Sequence, residues 1–333
     1  MTGSIADDRT DTWDFGGYPY ALMPLVLPDP SARCDSEDVS GVHEELELLS
    51  KAIEDAAVRA DSVERLFWFR WIVGNQAASA LWQILDDELE LVLAGEVETA
   101  ACNAEVLLHA YSVLLIYAGS LPRELYFRLV RPAMGLQHRS FTGRWAQDYV
   151  PVMAKLQTLR AVYRRRPRPP FVDSLIAASK RNHRVHAAVA AKLVPGEDSL
   201  LRANDGLPTL GVATTDTTLL YDAFYSTARA LVPRAAVVEQ LISRIRAMLR
   251  DLRTNGMYPA DASSRHERPV ELWDDGVVAL EQNSAEILNR AAHTSAAALR
   301  RLPDDSDGHR CSIPRTVTTP VAQTEAEESN HED

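Results

Sequence analysis

Apolar positions recur at helical spacing along most of the chain, and from Gly41 onward they predict helices almost throughout. Segment 42–59 is amphipathic. Segment 62–94 is a long, strongly apolar helix carrying Phe67, Trp68, Phe69, Trp71 and Trp82, and 97–118 is another. Leu121-Pro122 opens a short helix, LPRELYFRLVRP, which Pro132 is expected to close: a proline fits the first turn but removes a hydrogen bond in the interior. A glycine-containing turn, MGLQHRSFTGRW, leads into a helix over 145–165. After Pro169-Pro170, Asp173–Val194 reads as a further helix, and two or three more run through 217–254 and 275–302, with Pro233 expected to kink the first. We find no convincing strand alternation and no short-period repeat, so the expected fold class is all-α, a helical bundle.

Three regions differ in composition. Residues 1–40, rich in Asp, Pro, Gly and Ser, read as an irregular N-terminal arm, within which FGGYPYALMPLVLP is apolar enough to pack onto the body. Residues 41–302 read as one helical domain, and 303–333 have a disordered composition. Between the helices, PGEDSLLRANDGLPTLGVATTDT is a long Gly/Thr loop, of a length that in compact domains usually serves function or stays disordered.

The 333 residues are 46% hydrophobic, enough for a substantial core, and no uninterrupted apolar run reaches the ~18 residues of a membrane span. The acidic N-terminus, MTGSIADDRTDTWDF, lacks the basic-then-apolar order of a secretory signal. Cys34, Cys102 and Cys311 are far apart without a CxxC pair, which argues against a disulfide framework or structural zinc and for a reducing cytoplasm. A net charge of −12 argues against general nucleic-acid binding. The basic run Arg164–Arg168 reads as a solvated helix end.

Candidate chemistry centres on DSLIAASKRNHRVHAAVAAKLV. Ile176, Ser179, His183, His186, Ala190 and Leu193 follow three/four spacing and share one helical face. Two histidines thus stand one turn apart on a face of small and apolar residues, where a neutral imidazole can bind a metal and small neighbours leave room for a flat ligand. The competing reading is a pair of hydrogen-bonded core or interface histidines. There is no glycine-rich phosphate loop, no HExxH and no GxSxG. Asp86, Asp87, Glu88 and Glu90 run around their helix, which disfavours a carboxylate cage for two metals.

The order of four segments resembles the tryptophan 2,3-dioxygenase fold. ERLFWFRWIVGNQAASALWQIL is similar to that family's distal helix, in which a His-Gln-Ala triplet precedes a Trp-containing stretch ending Gln-Ile-Leu. LPRELYFRLVRPAMGLQHRSF is similar to the segment leading to the substrate-binding Phe and Arg. The histidine helix is similar to the helix supplying the axial heme ligand, and GLPTLGVATTDTTLL takes the place of the Gly-Thr-Gly-Gly loop. Asn75 stands where the dioxygenases carry a distal His, and the span from the turn to the axial histidine is far shorter. Both features look more like the compact bacterial branch of the heme-dependent aromatic oxygenases, which includes histidine-ligated tyrosine hydroxylases of antibiotic pathways.

That resemblance implies a single domain binding heme b, with His183 as axial ligand and His186 beside it. The heme is expected to be non-covalent, because Ala187 and Ala190 occupy the positions where a relative attaches it through Cys. Asn75 and His138 are the candidate catalytic residues. Arg139 or Arg144 would hold the substrate carboxylate, Phe141 and Trp71 its ring, and Thr214 and Thr215 its polar groups. The implied reaction is ring hydroxylation of an aromatic amino acid, L-tyrosine to 3,4-dihydroxyphenylalanine, with O2 or hydrogen peroxide, in a cytoplasmic homo-oligomer needing neither nucleic acid nor membrane. The alternatives are an indole-ring dioxygenase and a non-catalytic heme-binding or helical interaction protein.

Overall fold

The computed structural model describes residues 20–29, 38–52, 59–95, 97–164, 167–194, 213–259 and 272–299. The first half of the arm, most of the Gly/Thr loop and the tail from 303 lie outside these. The described body is all-α, as the periodicity predicts.

Helices α1 (Ser40–Ala52), α2 (Val63–Ala94) and α3 (Val97–Ala118) come first. The length of α2 follows from its ends: no proline interrupts it, Ser62 accepts a hydrogen bond from the Arg65 amide at one end, and Gly95 closes the other at φ 107°. Apolar residues line α2 almost all round, and it is buried on most sides accordingly. By length and mean hydropathy, 1.4 over Glu98–Ala118, α3 would also suit a membrane. It is the central helix of the body, packed against α2 and against the helices Pro170–Leu193 and Ser284–Leu299.

Pro132 does not end its helix. The chain runs through α4 (Arg123–Leu125), a π-helical turn (Tyr126–Val130) and α5 (Arg131–Gln137). In an α-helix the missing N–H of Pro132 would leave the Arg128 carbonyl without its donor. The π turn sits directly before it, with the Arg131 amide reaching back to the Tyr126 carbonyl. A 3-10 turn (Gly143–Trp145) precedes α6 (Tyr149–Val162) and α7 (Pro170–Leu193), the histidine helix.

The region from 217 to 254 also differs from expectation. It divides into α8 (Thr215–Phe224), a strand β2 (Thr227–Ala230) and α9 (Arg234–Asn255). Pro233 is the cap residue of α9 rather than a kink, consistent with its fixed φ and absent N–H. Helices α10 (Asp275–Gln282) and α11 (Ser284–Leu299) follow. The apolar part of the arm does pack on the body, as strand β1 (Leu25–Pro28), parallel to β2 with Leu25 opposite Thr227. Leu25 and Leu27 point inward and are fully buried. The free edge of β1 is closed by one side chain: Gln240 accepts from the Val26 amide at 2.7 Å and donates to its carbonyl at 2.8 Å.

Two glycines set the level of the site. A Cβ on Gly74 of α2 would meet the Ala118 Cβ at 3.1 Å, and one on Gly119 would meet Val189 Cγ1 of α7 at 2.4 Å. Both helices therefore approach the C-terminal turn of α3 at closest range. They scarcely touch one another. Asn75 is the neighbour of Gly74, and His186 is one turn before Val189, so both lie close to the level of that turn of α3.

Candidate active site

The stripe predicted for α7 is real, and its cover changes along its length. Ile176 and Ser179 are buried, with Arg160 of α6 donating to the Ser179 hydroxyl at 2.6 Å. Further on, His183, His186 and Ala190 on the same stripe are exposed. The opposite face is fixed: Asn182 donates to Ser112 of α3 at 3.1 Å and Lys192 to the Gly119 carbonyl at 2.6 Å. Burial, partly offset by Glu281, lowers the Lys192 pKa to about 7. The histidine pair is thus presented outward by a helix that cannot turn. Their exposure rules out the reading of the two as core histidines.

Neither imidazole makes a hydrogen bond with a described residue, so both are available as ligands. His186 is exposed, yet surrounding protein and then the charge of His183 lower its pKa, which favours the neutral ring. Among the described residues no three His, Cys, Asp or Glu side chains converge as a metal site. An iron here would depend on one protein ligand, as iron in a porphyrin does. Ala187 and Ala190 add no bulk, and the free thiol among the described residues, Cys102, lies on α3. The side chains present fit heme.

On the other flank, Asn75 is half-buried, and its amide donates to the Trp71 carbonyl of its own helix at 2.8 Å. Its neighbour Gln76 is fully buried and ties three segments together. Gln76 donates to the carbonyls of Met23 in the arm and Tyr225 after α8, and accepts from Arg244 of α9. The Arg244 pKa falls to about 9 through burial. This polar knot fixes the turn of α2 that carries Asn75.

The GLQHRSF turn packs on α8. Gln137 donates to the Leu220 carbonyl at 3.2 Å, and the Ser140 amide donates to His138 Nδ1 at 3.0 Å. With Nδ1 occupied as acceptor, neutral His138 carries its proton on Nε2 and presents a donor there. Phe141 is buried at 2% exposure and stacks on Tyr221 at 5.9 Å between Trp145, Phe224 and Tyr225. It is a wall of the site, with protein rings on every side that the structure records. Trp71 is half-buried against Tyr126 at 5.7 Å, and the Tyr225 hydroxyl lies beside its indole.

Arg139 and Arg144 are both exposed. Arg139 has an interaction of its own within the protein. The Arg144 guanidinium makes no ion pair with a described residue. Thr214 caps α8 in a reciprocal capping box with Thr217, so its hydroxyl already serves the helix, whereas Thr215 is exposed in the first turn. The structure therefore brings Trp71, Phe141, His138 and the arginine turn together around α8. The threonines stand at the far end of that helix, roughly 9 Å in helical rise from Tyr221.

Sequence reading missed Tyr221, Tyr225, Tyr126 and Arg229. The guanidinium of Arg229 is clamped between Asp148 and Asp222 at 2.8–2.9 Å, joining α6, α8 and β2 behind Phe141. Tyr221 and Tyr225 at i, i+4 in YDAFY were the available signal.

Residues 60–175 match the family described as SfmD 3-methyl-L-tyrosine peroxygenase, a heme-dependent family of the tryptophan 2,3-dioxygenase-like kind, as the sequence resemblance anticipated. The match runs from the start of α2 to Leu175 in α7 and stops before His183. Among curated proteins none matches the chain.

Proposed function

We propose that this protein is a peroxygenase-type enzyme that hydroxylates the ring of tyrosine or a ring-substituted tyrosine in antibiotic biosynthesis, with non-covalent heme b held by His183. The observation carrying this reading is the pair of exposed histidines on α7 that make no hydrogen bond with a described residue, beside a body whose α8 gathers the aromatic wall of Trp71, Phe141 and Tyr225. The family match over α2 and the arginine turn supports it. When bound, heme supplies oxidation of the substrate ring by peroxide or O2.

The chain's own residues do the rest. Arg144 holds the substrate carboxylate in a charge-assisted pair, worth about 1.5–3 kcal/mol per such hydrogen bond. Trp71 lies against the ring, while Phe141, itself buried, shapes the wall behind it. Asn75 can donate a hydrogen bond but cannot shuttle a proton, because an amide does not titrate in the useful range. His138, held by the Ser140 amide with its proton on Nε2, can likewise donate a hydrogen bond, and the substrate's own phenol is the group that brings a transferable proton. His186 stands beside His183 as the neutral neighbour on the stripe.

The test is a peroxide-driven panel of L-tyrosine, 3-methyl-L-tyrosine and L-tryptophan, read by product mass. Gain of one oxygen on a phenolic substrate supports the proposal. Gain of two oxygens on tryptophan with no phenolic product would make it an indole dioxygenase.

A further inference from the structure

The candidate site is walled by oxidisable rings that the hydroxylation itself does not use. Tyr221 and Tyr225 have centroids 4.7 Å apart. The Tyr225 hydroxyl lies beside the Trp71 indole, and Trp71, one turn before Asn75, packs on Tyr126 at 5.7 Å. On the α3 side Tyr111 forms a tight trio with Trp82 at 5.3 Å and Tyr149 at 5.6 Å, and lies within electrostatic range of Tyr221. Trp82 and Tyr149 are 4.9 Å apart. Tyr111, Tyr221, Tyr225 and Trp82 are at most 4% exposed, while Tyr149 is half-buried at the start of α6 and reaches solvent. This series links the site beside Asn75 to the surface.

Packing alone does not call for so many phenols. Phenylalanine would fill the same space without burying a hydroxyl, and burial holds the Tyr111, Tyr221 and Tyr225 phenols protonated, far above their usual pKa. What a phenol or indole adds to a benzene ring is ease of one-electron oxidation. A site that oxidises phenolic substrates also exposes its own walls to oxidant whenever substrate is absent.

We propose that Tyr126, Tyr225, Tyr221, Tyr111, Tyr149 and Trp82 form a relay that carries oxidising equivalents from the site to the surface when peroxide reacts without substrate. The inference rests on the peroxygenase reading above. In balance, two tyrosines each lose one electron and the phenolic proton, and one peroxide takes up those two electrons and two protons to give two waters. Each phenoxyl radical is then restored by an external one-electron donor such as a thiol or ascorbate. Failing that, two radicals couple through a new ring carbon–carbon bond, the displaced ring hydrogens returning to the phenol oxygens.

The experiment treats heme-loaded protein with hydrogen peroxide in the absence of aromatic amino acid. It reads organic radicals by freeze-quench electron paramagnetic resonance, and oxidised or cross-linked residues by peptide mass spectrometry. The wild type should give a tyrosyl signal and modification reaching Tyr149. Tyr221→Phe and Tyr225→Phe together keep the rings but remove both phenols. They should leave heme uptake unchanged, remove modification at Tyr111 and Tyr149, and shorten the survival of the heme absorbance several-fold. Modification of Tyr149 at wild-type level in the double variant, or oxidation confined to α7, would overturn the relay. A protein that takes up no heme would instead defeat the functional proposal, before the relay comes into question.

Discussion

Gly119→Ala tests the closeness of α3 and α7, on which the height of the histidines depends. The added methyl would lie 2.4 Å from Val189 Cγ1 and 2.9 Å from the Leu115 carbonyl oxygen, where carbon atoms normally rest about 3.5–4.0 Å apart. Val189 cannot swing aside: it is 7% exposed, and a β-branched residue in a helix has one strongly preferred rotamer. The helices must separate by about 1 Å, an overpacking that costs about 1–3 kcal/mol. Because Val189 is one turn beyond His186, heme affinity should fall together with stability. The assay is urea denaturation with parallel heme titration of the wild type, Gly119→Ala, Val189→Ala and the double variant. The double variant should be more stable than the sum of the single losses by about 0.5–3 kcal/mol, because Val189→Ala removes the clash. Gly135→Ala, on α5 with nothing within 4 Å, serves as control and should be neutral or stabilising by up to about 1 kcal/mol. Gly119→Ala as stable as Gly135→Ala, with heme affinity unchanged, would refute this account of the packing.

Asp251→Asn should destabilise the fold by about 3–5 kcal/mol, measured as a shift in the urea midpoint, because Asp251 is the carboxylate paired with fully buried Arg70 and also accepts from Tyr117 at 2.6 Å. His109 has its pKa lowered from 6.5 to about 4 by burial, then by Arg181 and Arg290, so the unfolded chain takes up its proton first. Its effect on stability is absent above pH 6.5 and becomes a loss as pH falls toward 4; in melting-temperature scans His109→Gln should decline less steeply than wild type across that window. Arg144→Gln should weaken binding of the aromatic amino acid on the order of a hundredfold, about 2–4 kcal/mol, and leave the decarboxylated amine unaffected; equal loss for both ligands in a binding titration would contradict the carboxylate role. Asn75→His should keep heme uptake and raise peroxide-driven turnover while Asn75→Ala changes it little, and abolished turnover in the alanine variant with heme and substrate binding intact would make the amide itself essential.

Helix positions were legible because they depend on local periodicity and capping. The limits of α2 and α3 follow from Ser62, Gly95 and an unbroken apolar run. The β1–β2 pair was not legible: four residues each, some two hundred apart in sequence, carry too little alternation, and their register depends on Gln240 and the Leu25 and Leu27 pockets. Pro132 misled because its local cost is absorbed by a π turn that only the surrounding packing selects. Of the site, the residue types and the α7 stripe could be read in advance. Which part of the stripe α6 covers could not, because that depends on where two helices diverge. Thr214 likewise reads as a ligand group in the sequence, whereas its geometry makes it a helix cap.

The central claim is that α7 supplies the iron ligand through His183. Its most direct test is heme titration of the purified full-length chain, followed by the Soret band, for the wild type, His183→Ala and His186→Ala. The account predicts one heme per chain for the wild type, loss of the native spectrum in His183→Ala, and near-complete retention in His186→Ala. A native Soret band that survives in His183→Ala would contradict it.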